Sequence, residues 1–180
     1  MYIMLALVIL LCIYIFVTYN SLIKSKNYVK EAFSTMDVYL KKRWDLVPNL
    51  VEVVKAYAKH EEETFKSVAK LRANSYENMS LNNKITLNEE IKTGISKIMA
   101  ISENYPELKA NENFMQLSSE LIQIEDDIEN SRKYYNGTVR DYNNKIQMFP
   151  SNIVAKIFGY KIENMFEANA EEKNNVKVDL

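Results

Sequence analysis

His60 and Glu61 are the first residues of this sequence that suggest chemistry. They open the run His60-Glu61-Glu62-Glu63-Thr64, which begins like the H-E-x-x-H motif of zinc hydrolases. That motif puts two histidines one helical turn apart, so that both imidazoles reach one metal ion. Here the second ligand position is Thr64, and the chain has no other histidine. A di-iron bundle site fails for the same reason, since it takes Glu-x-x-His from two helices. What remains for His60 is a catalytic pair with a nucleophile, or a hydrogen-bonding residue on a helix surface or between helices. Glu125, Asp126, Asp127 and Glu129 form an acidic run. It reads as a solvated helix face or a cation site, although neighbouring like charges do not by themselves specify a chelate. No P-loop, dinucleotide fingerprint or nucleophile elbow occurs, and the three glycines are isolated. Cys12 is the only cysteine, which excludes an intramolecular disulfide and any multi-cysteine metal site. The expectation is a chain with no catalytic residue, metal or cofactor.

Charge on otherwise apolar stripes is more informative. Glu61 follows Tyr57 by four residues, Arg72 follows Val68 by four, and Arg132 follows Ile128 by four and Glu125 by seven. Long helices with a repetitive seam can slide in register, and a paired polar layer resists that. The spacing predicts an interhelical ionic layer of Glu61, Arg72, Glu125 and Arg132, joined by His60 and Asn136. The alternative is that these side chains reach to solvent. Tyr and Asn also recur as pairs, at Tyr19-Asn20, Tyr135-Asn136 and Tyr142-Asn143. The last two pairs are seven apart, so both tyrosines lie on one helix seam and need hydroxyl partners.

The elements that must carry these residues are helices. Three glycines and three prolines in 180 residues cannot punctuate a many-stranded sheet. Val29, Phe33, Met36 and Leu40 make a helical stripe, and Val47, Leu50, Val54, Tyr57, Glu61, Thr64, Val68 and Leu71 continue the alternation of three and four. Pro48 sits between these stripes. Inside a helix it costs about 3 kcal/mol, whereas in a first turn it costs little. Asp45, Pro48 and Asn49 therefore read as a helix start capped by Asp45, with a kinked continuous helix as the alternative. Residues 74–84 read as a loop. Thr86 with Glu89 signals the start of a third helix, which carries Ile91, Ile95 and Ile98 and ends before Pro106. Asn111 reads as the cap of a fourth, with a seam from Phe114 to Phe149 that ends at Pro150. A short helix from Asn152 to Phe158 is stopped by Gly159. The stripes predict an all-α fold, a long antiparallel four-helix bundle with coiled-coil-like seams.

Residues 1–17 contain no charged side chain, and the first is Lys24. About 20 such residues span roughly 30 Å of helix, the hydrocarbon thickness of a bilayer. Tyr14 and Tyr19 lie where an aromatic belt would. No basic stretch precedes the apolar run and no A-x-A-like site follows it, which argues for an uncleaved transmembrane anchor. Lys24, Lys26 and Lys30 follow it, so the positive-inside rule places the bulk on the cytoplasmic side of a single-pass cell-membrane protein. The division is then an anchor at 1–20, a helical domain at 21–167 and a polar tail at 168–180, expected to be disordered. A net charge of −1 gives no field that would steer nucleic acid.

The stretch LKKRWDLVPNLVEVVKAYAKHEEETFKSVAKLRA, Leu40 to Ala73, strongly resembles the signature of the bacterial LemA family. A second block, Asn104 to Tyr160, agrees with it, as does Tyr19-Asn20 after the apolar segment. Trp44 stands where tyrosine is usual. The resemblance covers nearly the whole chain, except the region around Ser80 and the last dozen residues. It implies a four-helix bundle held at the membrane by an N-terminal helix, with no established enzymatic activity. Some relatives resemble lipoproteins whose modified cysteine directly precedes the first Tyr-Asn; here Cys12 lies seven residues before Tyr19. The resemblance also implies a membrane zinc metalloprotease as a partner, and the exposed helix faces add the chain itself as another expected one. Two functional readings follow. One is a non-enzymatic, membrane-anchored scaffold or adaptor that binds other membrane or envelope proteins. The other is an enzyme or a ligand- or metal-binding bundle that uses His60, Glu61 and the acidic face of the fourth helix.

Overall fold

The computed structural model describes residues 1–71 and 76–166. Arg72 and the tail at 168–180 lie outside the described residues. Those described form α1 (Tyr2–Lys55), α2 (Glu62–Lys70), a 3-10 turn (Tyr76–Asn78), α3 (Leu81–Ser102), α4 (Pro106–Lys109), α5 (Glu112–Gln147) and α6 (Ser151–Ile157). No strand occurs among them. Packing divides the chain into two compact units, residues 1–34 with 132–180, and residues 35–131.

α1 corrects the expectation of a helix start at Asp45, Pro48 and Asn49. Pro48 lies inside the helix, which continues to Lys55. The energetic reason is local. Trp44, Val47, Leu50 and Val54 flank the proline and are all at least 96 % buried. Each such side chain is worth roughly 1.5–3 kcal/mol when buried, so together they outweigh the ~3 kcal/mol cost of an interior proline. Asp45 caps nothing; it pairs with Lys41 one turn back at 2.6 Å, on the surface.

The chain leaves the helix after Lys55, where no glycine or proline marks it. The amides of Tyr57 and Ala58 both donate to the Val54 carbonyl. Ala58 is fully buried, and beyond this turn α2 buries Phe65 and Val68 and contacts α3. The two helices approach closely at Gly94, where an added Cβ would stand 2.9 Å from Val68 Cγ2. The third helix starts earlier than Thr86 suggests. Ser80 caps α3, its hydroxyl accepting the Asn83 N–H at 3.3 Å.

The α5 seam follows the sequence pattern. Phe114, Leu121, Ile124 and Ile128 are buried in the second unit, and Tyr135, Val139 and Tyr142 in the first. Asn111 caps it, accepting the Phe114 N–H at 3.0 Å. The seam stops short of its expected end, since Phe149 is 79 % exposed. In the first unit, α6 buries Val154 and Ala155 against Leu22, with Ile15, Tyr19, Ile146 and Tyr160 around them. Gly159 takes φ 71° and turns the chain out of α6.

Candidate functional site

The second unit holds a charge cluster, built on one buried arginine, that joins three helices. Arg43 of α1 is 1 % exposed. It lies three residues after Leu40 and four before Val47, so the apolar stripe itself carries it inward. Its Nη1 donates to Asn88 Oδ1 of α3 at 2.9 Å. Its Nη2 forms an ion pair with Glu125 of α5. The other Glu125 oxygen meets Lys92 of α3 at 3.2 Å. Burial pulls the guanidinium pKa down to about 10, while the charge of Glu89 works in the opposite direction. An arginine taken out of water is costly unless paired, and Glu125 supplies the pair. Beside the cluster opens a groove of about 680 Å³ with Ile95 and Met99 of α3 and Leu121 and Ile122 of α5 on its walls. Glu125 and Glu129 also line it.

A second polar cluster ties the 3-10 turn to α1. The Tyr76 hydroxyl donates to Asp37 Oδ1 and Lys84 Nζ to Asp37 Oδ2, each at 2.7 Å. Lys84 also lies over the Tyr76 ring, 4.6 Å from its centre. Burial, then the hydrogen bond and charge of Asp37, push the Tyr76 hydroxyl well above its ordinary range.

In the first unit the Tyr-Asn pairs of α5 grip the segment 161–166. Tyr142 donates to the Lys161 carbonyl at 3.1 Å, and Tyr135 to the Asn164 carbonyl at 3.0 Å. Asn143 bonds both the N–H and the C=O of Glu163, at 2.9 and 2.8 Å. Asn136 does the same for Phe166, at 2.7 and 2.9 Å. Seven residues of helix rise about 10.5 Å. Three residues span about 10 Å only when nearly extended, so the heptad spacing fits an extended chain. Arg132 closes this ladder, its guanidinium 4.9 Å from the centre of the Phe166 ring.

The residues expected to form one ionic layer are therefore distributed. Glu125 does hold helices together by charge, but with Arg43 and Lys92. Arg132 and Asn136 hold Phe166 in the other unit. His60 is exposed in the turn between α1 and α2, and Glu61 is half-buried at the start of α2 with no capping bond from its side chain. Neither lines the groove. Among the described residues no group of three His, Cys, Asp or Glu is placed to hold a metal ion. Arg43 and Lys92 were missed in the sequence. The signal for Arg43 was its place on the stripe; Lys92 carried none.

The described residues make an all-α protein with one N-terminal helix long and apolar enough to cross a membrane. The chain belongs to the LemA family, whose model matches residues 32–180. It is similar to Protein LemA of Metamycoplasma hominis, with 27 % identity over 161 residues that cover 87 % of this chain and 72 % of that protein. It is also similar to Magnetosome protein MamQ 2 of Paramagnetospirillum magneticum, 30 % identical over 73 residues, 41 % of this chain and 27 % of that protein. Magnetosome protein MamQ of Magnetospirillum gryphiswaldense is 30 % identical over 67 residues, 37 % of this chain and 25 % of that protein.

Proposed function

We propose that the chain is a single-pass, membrane-anchored, non-enzymatic helical scaffold, a four-helix bundle that binds other membrane or envelope proteins from the cytoplasmic side. The observation that carries this reading is α1. No residue of its apolar stretch is fully buried, and the same helix continues without interruption to Lys55 and packs there. An unburied apolar helix needs lipid around it. The Arg43–Glu125–Lys92 cluster supports the reading because its charges satisfy one another and fix the register of three helices. The groove beside it, with Ile122 64 % exposed, offers an apolar surface for a partner such as a membrane metalloprotease or a second copy. The second reading, a ligand- or metal-binding bundle or an enzyme, has the groove beside Glu125 and Glu129 in its favour, without His60 and Glu61.

A photo-crosslinking residue at Ile122, in cells, tests the scaffold. The expected result is one discrete adduct with a membrane protein, absent when the probe stands at exposed Glu112. The same adducts from both positions, or none, would contradict it. A thiol at Met115, in a Cys12→Ser chain, should react only from the cytoplasmic side; reaction only from the other side overturns the orientation.

A further inference from the structure

α6 presents three faces. Val154 and Ala155 face the first unit and are at least 98 % buried. Lys156 makes the polar face, while Asn152 one turn back keeps its side-chain oxygen buried. Ile153 and Ile157, one turn apart, are 52 % and 69 % exposed. Phe149 just before the helix and Phe158 just after it are 79 % and 49 % exposed, and Met148 is 62 % exposed. So many large apolar side chains on one short stretch need something to cover them.

Their position says what covers them. The buried side of α6 packs on Leu22, and the same cluster includes Ile15 and Tyr19 of α1. The Tyr19 and Phe158 rings lie 4.6 Å apart. Ile15 belongs to the uncharged run of residues 1–17, and Lys24 is the first charge after it. If the hydrocarbon ends near Ser21, Ile15 lies about 9 Å inside it and Tyr19 at its edge. α6 is thus held at the depth where amphipathic helices lie, about 5–10 Å into the headgroup boundary. Aromatic side chains favour that level, and Tyr19, Phe158 and Tyr160 meet there. The cations suit it as well: Lys156 is exposed, and Lys26 lies over the Tyr160 ring at 5.8 Å. Long basic side chains reach from that level to lipid phosphates.

We propose that α6 is a second membrane contact, an interfacial helix that lies on the bilayer beside the anchor and sinks Phe149, Ile153, Ile157 and Phe158 into it. It rests on the reading of α1 as an anchor. It goes beyond that reading, because the first unit is then fixed against the lipid surface and not merely tethered to it.

The test uses the full chain in liposomes with an environment-sensitive thiol probe and spin-labelled lipids. Three proteins are compared: the native chain labelled at Cys12, and Cys12→Ser chains carrying Ile157→Cys or Lys133→Cys. The expected result is deep quenching at residue 12, severalfold stronger shallow quenching at 157 than at 133, and loss of the signal at 157 on adding Phe149→Ser and Ile153→Ser. These side chains are exposed, so the substitutions leave the helical circular dichroism unchanged. A water-exposed probe at 157 with a quenched probe at 12 overturns the second contact and leaves the anchor standing. A water-exposed probe at 12 overturns both. Quenching at 157 that survives the two serine substitutions also overturns the proposal, because the probe alone would then be seeking lipid.

Discussion

Asn143 and Glu163 hold each other by two hydrogen bonds, the carboxamide accepting the Glu163 N–H at 2.9 Å and donating to its carbonyl at 2.8 Å. Asn143 thereby acts as a short strand edge on the side of α5. Replacing it with alanine removes both bonds, worth together about 1–3 kcal/mol. The segment 161–166 should then open locally while the helices stay folded. Hydrogen exchange at the Glu163 amide is expected to quicken roughly ten- to a hundredfold, with little change in Tm. An unchanged exchange rate would mean that the ladder holds nothing.

The Arg43–Glu125 pair predicts unequal outcomes for its two members. Glu125→Gln leaves the buried guanidinium with only the charge of Glu89 to oppose its desolvation. Glu125 is 39 % exposed, so water screens part of the loss, and the expected destabilisation is about 2 kcal/mol, below the value for a fully buried pair. Arg43→Met removes the buried charge and its desolvation cost together, but leaves the buried Asn88 Oδ1 without its donor, so the two effects offset and the net change should stay within about 1 kcal/mol. Urea titration of both variants measures this. Equal large losses in both would show that the arginine contributes by packing and hydrogen bonding.

Gly94 and Gly137 both lie inside helices, where alanine is favoured by roughly 0.5–1 kcal/mol. At Gly137 a new Cβ meets nothing within 4 Å, so Gly137→Ala should raise Tm by a few degrees. At Gly94 it meets Val68, a stiff β-branched side chain, at 2.9 Å. Overpacking costs about 1–3 kcal/mol and outweighs the propensity gain. Gly94→Ala should therefore lower Tm, and Val68→Ala in the same chain should restore much of the difference.

Alkali should loosen the chain through its tyrosines. Burial raises the Tyr76, Tyr135 and Tyr142 hydroxyls, with Asp37 adding at Tyr76 and Glu163 at the other two. An acid with a raised folded-state pKa stays protonated when the unfolded chain has ionised. Its stability contribution is full below the ordinary tyrosine pKa of about 10 and is lost as pH climbs above it. Tm should be flat from pH 8 to near 10 and fall beyond, with a shallower fall in Tyr135→Phe/Tyr142→Phe. An identical fall in that variant would contradict a role for Tyr135 and Tyr142 and leave the effect to other groups, Tyr76 and Tyr160 among them.

Helices announced by local chemistry were legible in the sequence. The Phe114–Tyr142 stripe, the Asn111 cap and the Gly159 stop each depend on neighbours within a turn or two. Pro48 was misread because its penalty is local while the burial that overrides it is contributed by other helices. The break after Lys55 carries no turn residue, since it is set by where Ala58, Phe65 and Val68 find cover. Glu125 stood out as a charge on a seam, but its partners, Arg43 and Lys92, lie 82 and 33 positions away in the sequence. The Tyr-Asn heptad was visible as a pattern. That it grips residues 161–166 was not, because a hydrogen bond to backbone leaves no mark on the partner's side chains.

The scaffold and its interfacial helix both require α1 to enter the membrane. Leu7 and Leu10 are 61 % and 62 % exposed and sit within the apolar run, so arginine there disturbs no packing. Each arginine costs about 2.5–3.5 kcal/mol at the centre of a spanning helix. Alkaline carbonate extraction of membranes that hold the full chain, or its Leu7→Arg/Leu10→Arg variant, measures the anchor directly. The native chain should stay with the membrane pellet and the variant should be released into the supernatant. A native chain released by carbonate, or a variant retained as well as the native chain, would contradict the account.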